Sequence, residues 1–423
     1  MFKTIGDVYL IYNSETNCFL EITKKTYDIL KKIELDLGFI SELDDTIRDN
    51  LVAHKILVVE GANDNLIARL KRQFLKANLD SSRLALTILP TNDCNMCCPY
   101  CFEAEKKKGI MSKFVIQELI QFIKKQEDVK RLSITWYGGE PLMAFSVMQN
   151  IMKQIANEII IPVTEHKIVT NGYLLNKDVC SFFNDYNLTD IQISFDGVEA
   201  THNKSRILKK NNGATYQVML NNIDLLLKEC PNVKIHIRVN ISQNNVDEYI
   251  IVKNQLKKLF HSKQVDVYPG FIFVVDGQGR YLIPPSLSRQ EKQAVFLKDR
   301  DHKMLYPSKK GKGCAATQVN SYLVGASGEL YKCWGDVNNQ NKVIGYLDGR
   351  VGNVDLANRY LSTSCFNDEK CLQCFFLPIC SGGCNKDRIA NNDENGEFDL
   401  CSLYKDRDFL EECLERYYVK SLN

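Results

Sequence analysis

The run Thr91-Asn92-Asp93-Cys94-Asn95-Met96-Cys97-Cys98-Pro99-Tyr100-Cys101-Phe102 decides how this chain of 423 residues is to be read. Cys94, Cys98 and Cys101 form a C-x3-C-x2-C loop. Three thiolates on such a loop can hold three irons of a [4Fe-4S] cube, and the fourth iron is left open to a small molecule. The competing reading is a zinc site or buried thiols, but zinc sites usually show paired C-x2-C units that supply four ligands. Cys97 adjoins Cys98, and choosing it instead would give C-x2-C-x3-C.

The cysteine spacing, with the aromatic Tyr100 before the last cysteine, resembles the radical S-adenosylmethionine (SAM) superfamily, whose order selects Cys98 over Cys97. The resemblance implies that the open iron chelates the amino and carboxylate groups of SAM. Reduction of the cube then cleaves SAM to methionine and a 5'-deoxyadenosyl radical. It also implies that Tyr100 abuts the adenine.

Composition suits such an enzyme. A balance of 54 basic against 52 acidic residues leaves no electrostatic footprint for nucleic acid or an anionic membrane, so no partner of either kind is expected. No apolar run reaches the roughly 18 residues of a membrane span, and Met1-Phe2-Lys3-Thr4 does not open a signal peptide. The expectation is a cytoplasmic protein. Sixteen cysteines there point to metal or redox chemistry rather than disulfides.

Length predicts two or three domains, and the chain divides into residues 1–78, 79–300 and 301–423. The first stretch reads as strand, strand, helix, helix, strand: Val8–Tyr12, Cys18–Ile22, Lys25–Ile33, about Glu42–His54 and Ile56-Leu57-Val58-Val59. This order, with a Y-x-x-Y-N hairpin, resembles the winged-helix recognition element of enzymes that modify ribosomally made peptides. Such an element captures a leader peptide by adding it as a strand to a sheet edge. The alternative is a small accessory domain.

From about Ser81 to Pro285 strands and helices alternate, which predicts parallel βα units. Strands fit Leu84–Ile88, Leu132–Trp136, Lys167–Val169, Ile191–Phe195, Lys234–Asn240 and Val265–Tyr268; helices fit Lys113–Lys125, Ala144–Glu158, Asn176–Tyr186, Tyr216–Glu229 and Val246–Leu259. The fold class is therefore α/β, a partial (β/α)6 TIM barrel flanked by the winged-helix-like domain and a cysteine-rich C-terminal domain. Ligands of βα barrels sit at the C-terminal ends of the strands, and the polar motifs fall there.

Tyr137-Gly138-Gly139-Glu140-Pro141 follows the second strand, where glycine lets the backbone approach a ligand closely. Read alone it is a turn before a helix; by the resemblance, Gly138, Gly139 and Glu140 support the SAM amino group. Thr170-Asn171-Gly172 ends the third strand and reads equally well as turn chemistry. Ser194-Phe195-Asp196-Gly197 ends the fourth. Ser194 lies where the resemblance implies a bond to the SAM ribose or carboxylate. Arg206 and Arg238 are rival partners for that carboxylate, since a guanidinium donates two parallel bonds; either is equally a surface ion pair.

The C-terminal stretch reads Cys314-x13-Gly328-x4-Cys333, then Cys371-x2-Cys374-x5-Cys380-x3-Cys384, then Cys401. This order resembles the seven-cysteine SPASM domain, which carries two auxiliary [4Fe-4S] clusters, three in the whole chain. The resemblance assigns Cys371, Cys374, Cys380 and Cys401 to one and Cys314, Cys333 and Cys384 to the other. The latter lacks a fourth ligand. Cys365 or the substrate would supply it, and the substrate is favoured because Cys365 lies on the approach to the other C-x2-C. Zinc at some of these thiols is the alternative. Cys18, Cys97, Cys180, Cys230, Cys365 and Cys413 read as small hydrophobes.

Together these resemblances imply a SAM-dependent oxidoreductase that takes hydrogen from a carbon of a precursor peptide and installs a cross-link, most simply a cysteine thioether. A leader-bearing peptide and a reductase, flavodoxin or ferredoxin as electron donor are the expected partners. Two alternatives are a carbon-carbon cyclase and the anaerobic sulfatase-maturating enzymes, which make formylglycine. In the latter an aspartate base directly follows the cysteine matching Cys333; here Trp334 follows, and Asp336 is the candidate base. A peptide-binding or electron-transfer protein without SAM chemistry would need no open iron and no G-G-E motif.

Overall fold

The computed structural model describes all residues except 59–60, 102–107, 273–286, 300–305, 308–313, 381, 402 and 423. Phe102, Val59, Pro285 and the boundary at 300/301 lie outside the described residues. The chain forms two compact units: Met1–Asn78 with Phe296–Cys314 and Thr363–Asn423, and Leu79–Val295 with Ala315–Ser362.

In the first unit, β1 (Phe2–Ile5), β2 (Val8–Asn13) and β3 (Cys18–Ile22) make an antiparallel sheet in the order β1-β2-β3. Helix α1 (Lys24–Ile33) starts at Thr23, whose hydroxyl accepts the Thr26 N–H, and α2 (Asp45–Ala53) starts at Asp44, which accepts from Thr46. Such caps satisfy otherwise orphaned first-turn donors. A third helix, α3, runs over Ala62–Asn78. Neighbouring residues of a strand face opposite ways: Ile11 joins Ile29, Leu30, Ile33, Leu43 and Leu51, while Tyr12 packs with Phe376, Ile379, Leu410 and Leu414. The hairpin is thus buried on both faces, its own helices on one side and C-terminal segments on the other.

Three features depart from the sequence reading, the first being α3, which that reading did not include. Ile56-Leu57-Val58 is no strand: Lys55 turns at φ 57°, and the N–H groups of Ile56 and Leu57 both return to the Leu51 carbonyl. Ile56 and Leu57 instead pack onto the Ile11 core; a short apolar run does not by periodicity alone distinguish strand from a buried wrap. The third strand is the N-terminal Phe2–Ile5, too short to announce itself.

In the second unit six parallel strands carry the expected units: β4 (Arg83–Ile88), β5 (Arg131–Trp136), β6 (Val163–Thr170), β7 (Asp190–Phe195), β8 (Lys234–Ile241) and β9 (Val265–Phe271). The intervening helices include α4 (Lys113–Lys124), α5 (Phe145–Glu158), α6 (Lys177–Asp185), α7 (Glu199–Ser205), α8 (Tyr216–Glu229) and α9 (Tyr249–Leu259). The sheet continues past β4 with β10 (Ser321–Val324), parallel to it, and with antiparallel β11 (Glu329–Tyr331) and β12 (Gly345–Tyr346), giving nine strands in the order β12-β11-β10-β4-β5-β6-β7-β8-β9. Among the described residues the sheet ends at β12 and β9, an α/β arrangement with a mostly parallel central sheet.

One strand face packs on the helices. Leu84, Leu86, Ile134, Ile191, Ile193, Ile235, Ile237 and Val239 are fully buried in one core, each worth about 1.5–3 kcal/mol. The opposite face is polar: Glu165 on β6 accepts from Arg83 and Lys167 at 3.1 and 3.0 Å, Asp190 pairs with His236 at 3.1 Å, and Tyr268 donates to Gln192 at 2.6 Å.

Candidate active site

The cysteine loop leaves the C-terminal end of β4 and is pinned as it goes. Met96 bridges to Leu208, Cys97 N donates to the Ile207 carbonyl at 3.0 Å, and Lys209 N to Asn95 O at 2.9 Å. The G-G-E segment braces the same loop: Glu140 N donates to Asp93 O at 2.8 Å. A Cβ on Gly138, which sits at φ 126°, would strike the Thr91 carbonyl, and one on Gly139 would strike those of Asp93 and Asn92. The close approach that calls for glycine here is therefore to the loop's own backbone.

Glu140 is fully buried. Its carboxylate accepts the Thr170 hydroxyl at 2.7 Å, the Asn171 N–H at 2.7 Å and the Leu142 N–H at 3.0 Å. Burial still raises its pKa. The Asn171 side-chain amide donates to Asn95 Oδ1 at 2.7 Å and lies 3.8 Å from Cys94 Sγ, which also accepts the Met96 N–H at 3.4 Å. Thr170-Asn171 is thus part of the cysteine-loop support as well as a turn.

Burial pushes the Cys94 thiol up to about 12, with Glu140, Cys98 and Cys101 adding to the rise; Cys98 is pushed up to about 11, Arg206 opposing. Three thiols within mutual electrostatic reach on one loop suit a cubane cluster, whose binding removes their protons as metal ligation does. Among the described residues no three His, Cys, Asp or Glu side chains converge as a single metal ion would require; a four-iron cube spreads its thiolates wider.

Tyr100 is a hydrogen-bond hub. Its hydroxyl donates to Asp196 Oδ2 at 2.5 Å and accepts from Arg206 at 3.0 Å and Asn240 at 3.2 Å; Asn240 also donates to Asp196 Oδ1 at 3.0 Å. Arg206 is buried within that group. Its rival Arg238 is opposite Ser194 on β7 and Tyr268 on β9 in the strand register. The Arg238 side chain lies over Gly270, and its Nε is buried without a hydrogen-bond partner among the described residues.

Also in the barrel unit, Trp334 stacks edge-on against Tyr137 at 4.2 Å, and Asp336, buried, accepts the Tyr360 hydroxyl at 2.6 Å. Cys333 and Tyr360 are close enough that each thiol or carboxyl charge there raises the phenol pKa further, after burial.

In the other unit, Cys371 and Cys380 lie on short helical turns, Glu369–Leu372 and Leu377–Cys380, Cys374 lies between the two, and Cys401 follows. Cys365 is buried against Gly382, and burial first, then nearby Cys371, pushes its thiol up to about 12. Cys314 and Cys384 are exposed and within electrostatic reach of one another. Cys333 belongs to the barrel unit. The sequence reading missed Asn171 and Asn240 as loop supports, and it missed Asp368 and Arg388 beside Cys371. Only the T-N-G run gave a signal for any of these.

Residues 88–250 match the radical SAM superfamily. The chain is 25% identical over 386 residues to a cysteine-type anaerobic sulfatase-maturating enzyme of Clostridium novyi, an alignment covering 80% of this chain and 98% of the relative. It is 23% identical over 359 residues to the radical SAM cyclopropyl synthase TigE of Paramaledivibacter caminithermalis, 74% of this chain and 70% of TigE. Among solved structures, Streptococcus suis SuiB bound to the precursor peptide SuiA superposes with a TM-score of 0.53 at 17% identity, over 95% of this chain and 99% of SuiB.

Proposed function

We propose, from the premise that this chain carries a radical SAM domain, that it matures a ribosomally made precursor peptide by forming an intramolecular cross-link, a cysteine thioether first among the possible bonds. The observation that carries the choice is at the position after Cys333. Trp334 stands there against Tyr137, and Asp336, the next carboxylate along the sequence, is buried and accepts the Tyr360 hydroxyl. A base that must meet substrate is not offered at this place.

Cys94, Cys98 and Cys101 would hold a [4Fe-4S] cluster, which with SAM would supply the one-electron chemistry that removes hydrogen from a substrate carbon. The chain's own residues do the placing. Gly138, Gly139 and Glu140 fix the loop, Tyr100 locks its end, and Arg238 with Ser194 offers a fork for the SAM carboxylate. The auxiliary thiols, Cys371, Cys374, Cys380 and Cys401 in one set and Cys314, Cys333 and Cys384 in the other, would hold two further clusters, which would supply a route out for an electron. Thioether formation breaks one C–H and one S–H bond and makes one C–S bond, so an electron must leave after radical capture. The winged-helix-like stretch offers β3, an edge strand of its sheet, to a leader peptide.

The test is anaerobic incubation with SAM, dithionite and a cysteine-containing precursor encoded beside this chain. The expected product lacks two hydrogens, resists thiol alkylation at the linked cysteine and appears with 5'-deoxyadenosine. The near-complete coverage of the Clostridium novyi enzyme keeps a second reading, formylglycine formation. A sulfatase-derived peptide converted to the aldehyde would establish that reading and end the first.

A further inference from the structure

Arg388, on the helix Asn385–Asp393, is 4% exposed. One terminal nitrogen donates to Asp368 Oδ2 at 2.6 Å; the other donates to the Gly382 carbonyl at 2.8 Å and lies 3.6 Å from Cys371 Sγ. Asp368 is itself 3.5 Å from that sulfur. An ion pair thus rests directly on one cysteine, and it is lopsided, with side-chain exposures of 5% for Arg388 and 30% for Asp368. Its Nε is buried without a partner among the described residues. A buried charge needs compensation, and one carboxylate that faces water half supplies it.

Resting on the reading of Cys371 as an auxiliary-cluster ligand, we propose that Arg388 and Asp368 together set the reduction potential of that cluster, with Arg388 the stronger partner. The potential of an iron-sulfur cluster follows its net charge, the hydrogen bonds to its sulfurs and its solvent exposure. A buried guanidinium donating to a ligand sulfur stabilises the more negative, reduced form. The carboxylate opposes it, but water screens the exposed partner more than the buried one. The net effect makes this cluster a readier electron acceptor than its thiolates alone would.

The experiment is a redox titration of the anaerobically reconstituted full chain followed by electron paramagnetic resonance, comparing Arg388→Gln, Arg388→Lys and Asp368→Asn. Arg388→Gln is expected to lower one auxiliary midpoint by a tenfold change in the oxidised-to-reduced ratio, about 59 mV for a one-electron couple. Arg388→Lys is expected to restore most of it, and Asp368→Asn to shift the same midpoint upward. The signal of the SAM-binding cluster should not move. Unchanged midpoints in Arg388→Gln overturn the proposal. If that variant loses the cluster, an unmoved Asp368→Asn overturns it instead. Wild-type protein that binds iron for one cube only would sink the underlying reading of Cys371, a separate failure.

Discussion

The carboxylate of Glu140, past the end of β5, and the backbone N–H of Asn171, at the end of β6, are 2.7 Å apart inside the barrel unit. The same carboxylate holds Thr170 and Leu142, and Asn171 passes the constraint to Asn95 and Cys94. Two sequence motifs thus form one clamp on the first cysteine. Glu140→Ala strands three buried donors, and each costs about 1–3 kcal/mol. The variant is expected to lose several kcal/mol in urea denaturation and most of its cluster iron, whereas Glu140→Gln, still an acceptor, loses less. Equal iron content in Glu140→Ala and wild type would remove the clamp.

Gly139→Ala drives a methyl into the carbonyls of Asp93 and Asn92. Backbone cannot rotate aside as a side chain does, so the loop itself must shift, at about 1–3 kcal/mol for overpacking. The expected outcome is reduced iron per chain after reconstitution. Gly6→Ala, where nothing lies within 4 Å of the added Cβ, is the control for handling losses; its own φ of 56° confines any cost to the β1–β2 turn.

Arg238→Gln is expected to weaken SAM binding by about 10- to 150-fold, the equivalent of a charged hydrogen bond at 1.5–3 kcal/mol, with the cluster spectrum before SAM addition unchanged. Arg206→Gln should behave differently. It removes a buried partner of Tyr100 and Asp196 and should lower stability first. Titration of SAM against the spectroscopic shift at the open iron separates the two. The opposite pattern would restore Arg206 as the carboxylate ligand.

What the sequence disclosed follows from what is local. Strand Leu84–Ile88 and helix Tyr216–Glu229 carry their periodicity within a few turns, and their observed limits fall within a residue of the reading, whereas β6 begins at Val163 rather than Lys167 and β9 runs on to Phe271. The cysteine spacings are local too. The addition of Ser321–Val324 to the barrel edge beside β4 joins residues far apart in sequence, and no local pattern announces it. The same holds for the Tyr100 hub, built from four separate segments, and for Arg388 against Cys371. Ile56–Val58 fails for the opposite reason, since its apolar run is local but its partner, the Leu51 carbonyl, decides the shape.

His166 and His202 give the pH dependence a sign. Burial depresses His166 to about 4 and His202 to about 3, with Arg206 adding to the latter. His166 is held neutral between the Trp136 indole N–H, 2.7 Å from Nε2, and the Tyr186 carbonyl, 2.9 Å from Nδ1. The folded values lie below the unfolded value of about 6.5. The unfolded chain therefore binds more protons as pH falls from about 6.5 toward the folded values. Stability is fully present above pH 6.5 and is lost below it, at up to about 1.4 kcal/mol per pH unit for each histidine. Urea midpoints measured between pH 7.5 and 5.5 should fall on the acid side. His166→Gln should lower the midpoint at pH 7.5 yet flatten the decline, since one of the two proton-binding differences is gone. A variant with the wild-type slope would mean that His166 is already protonated in the fold, against the indole donor that faces its Nε2.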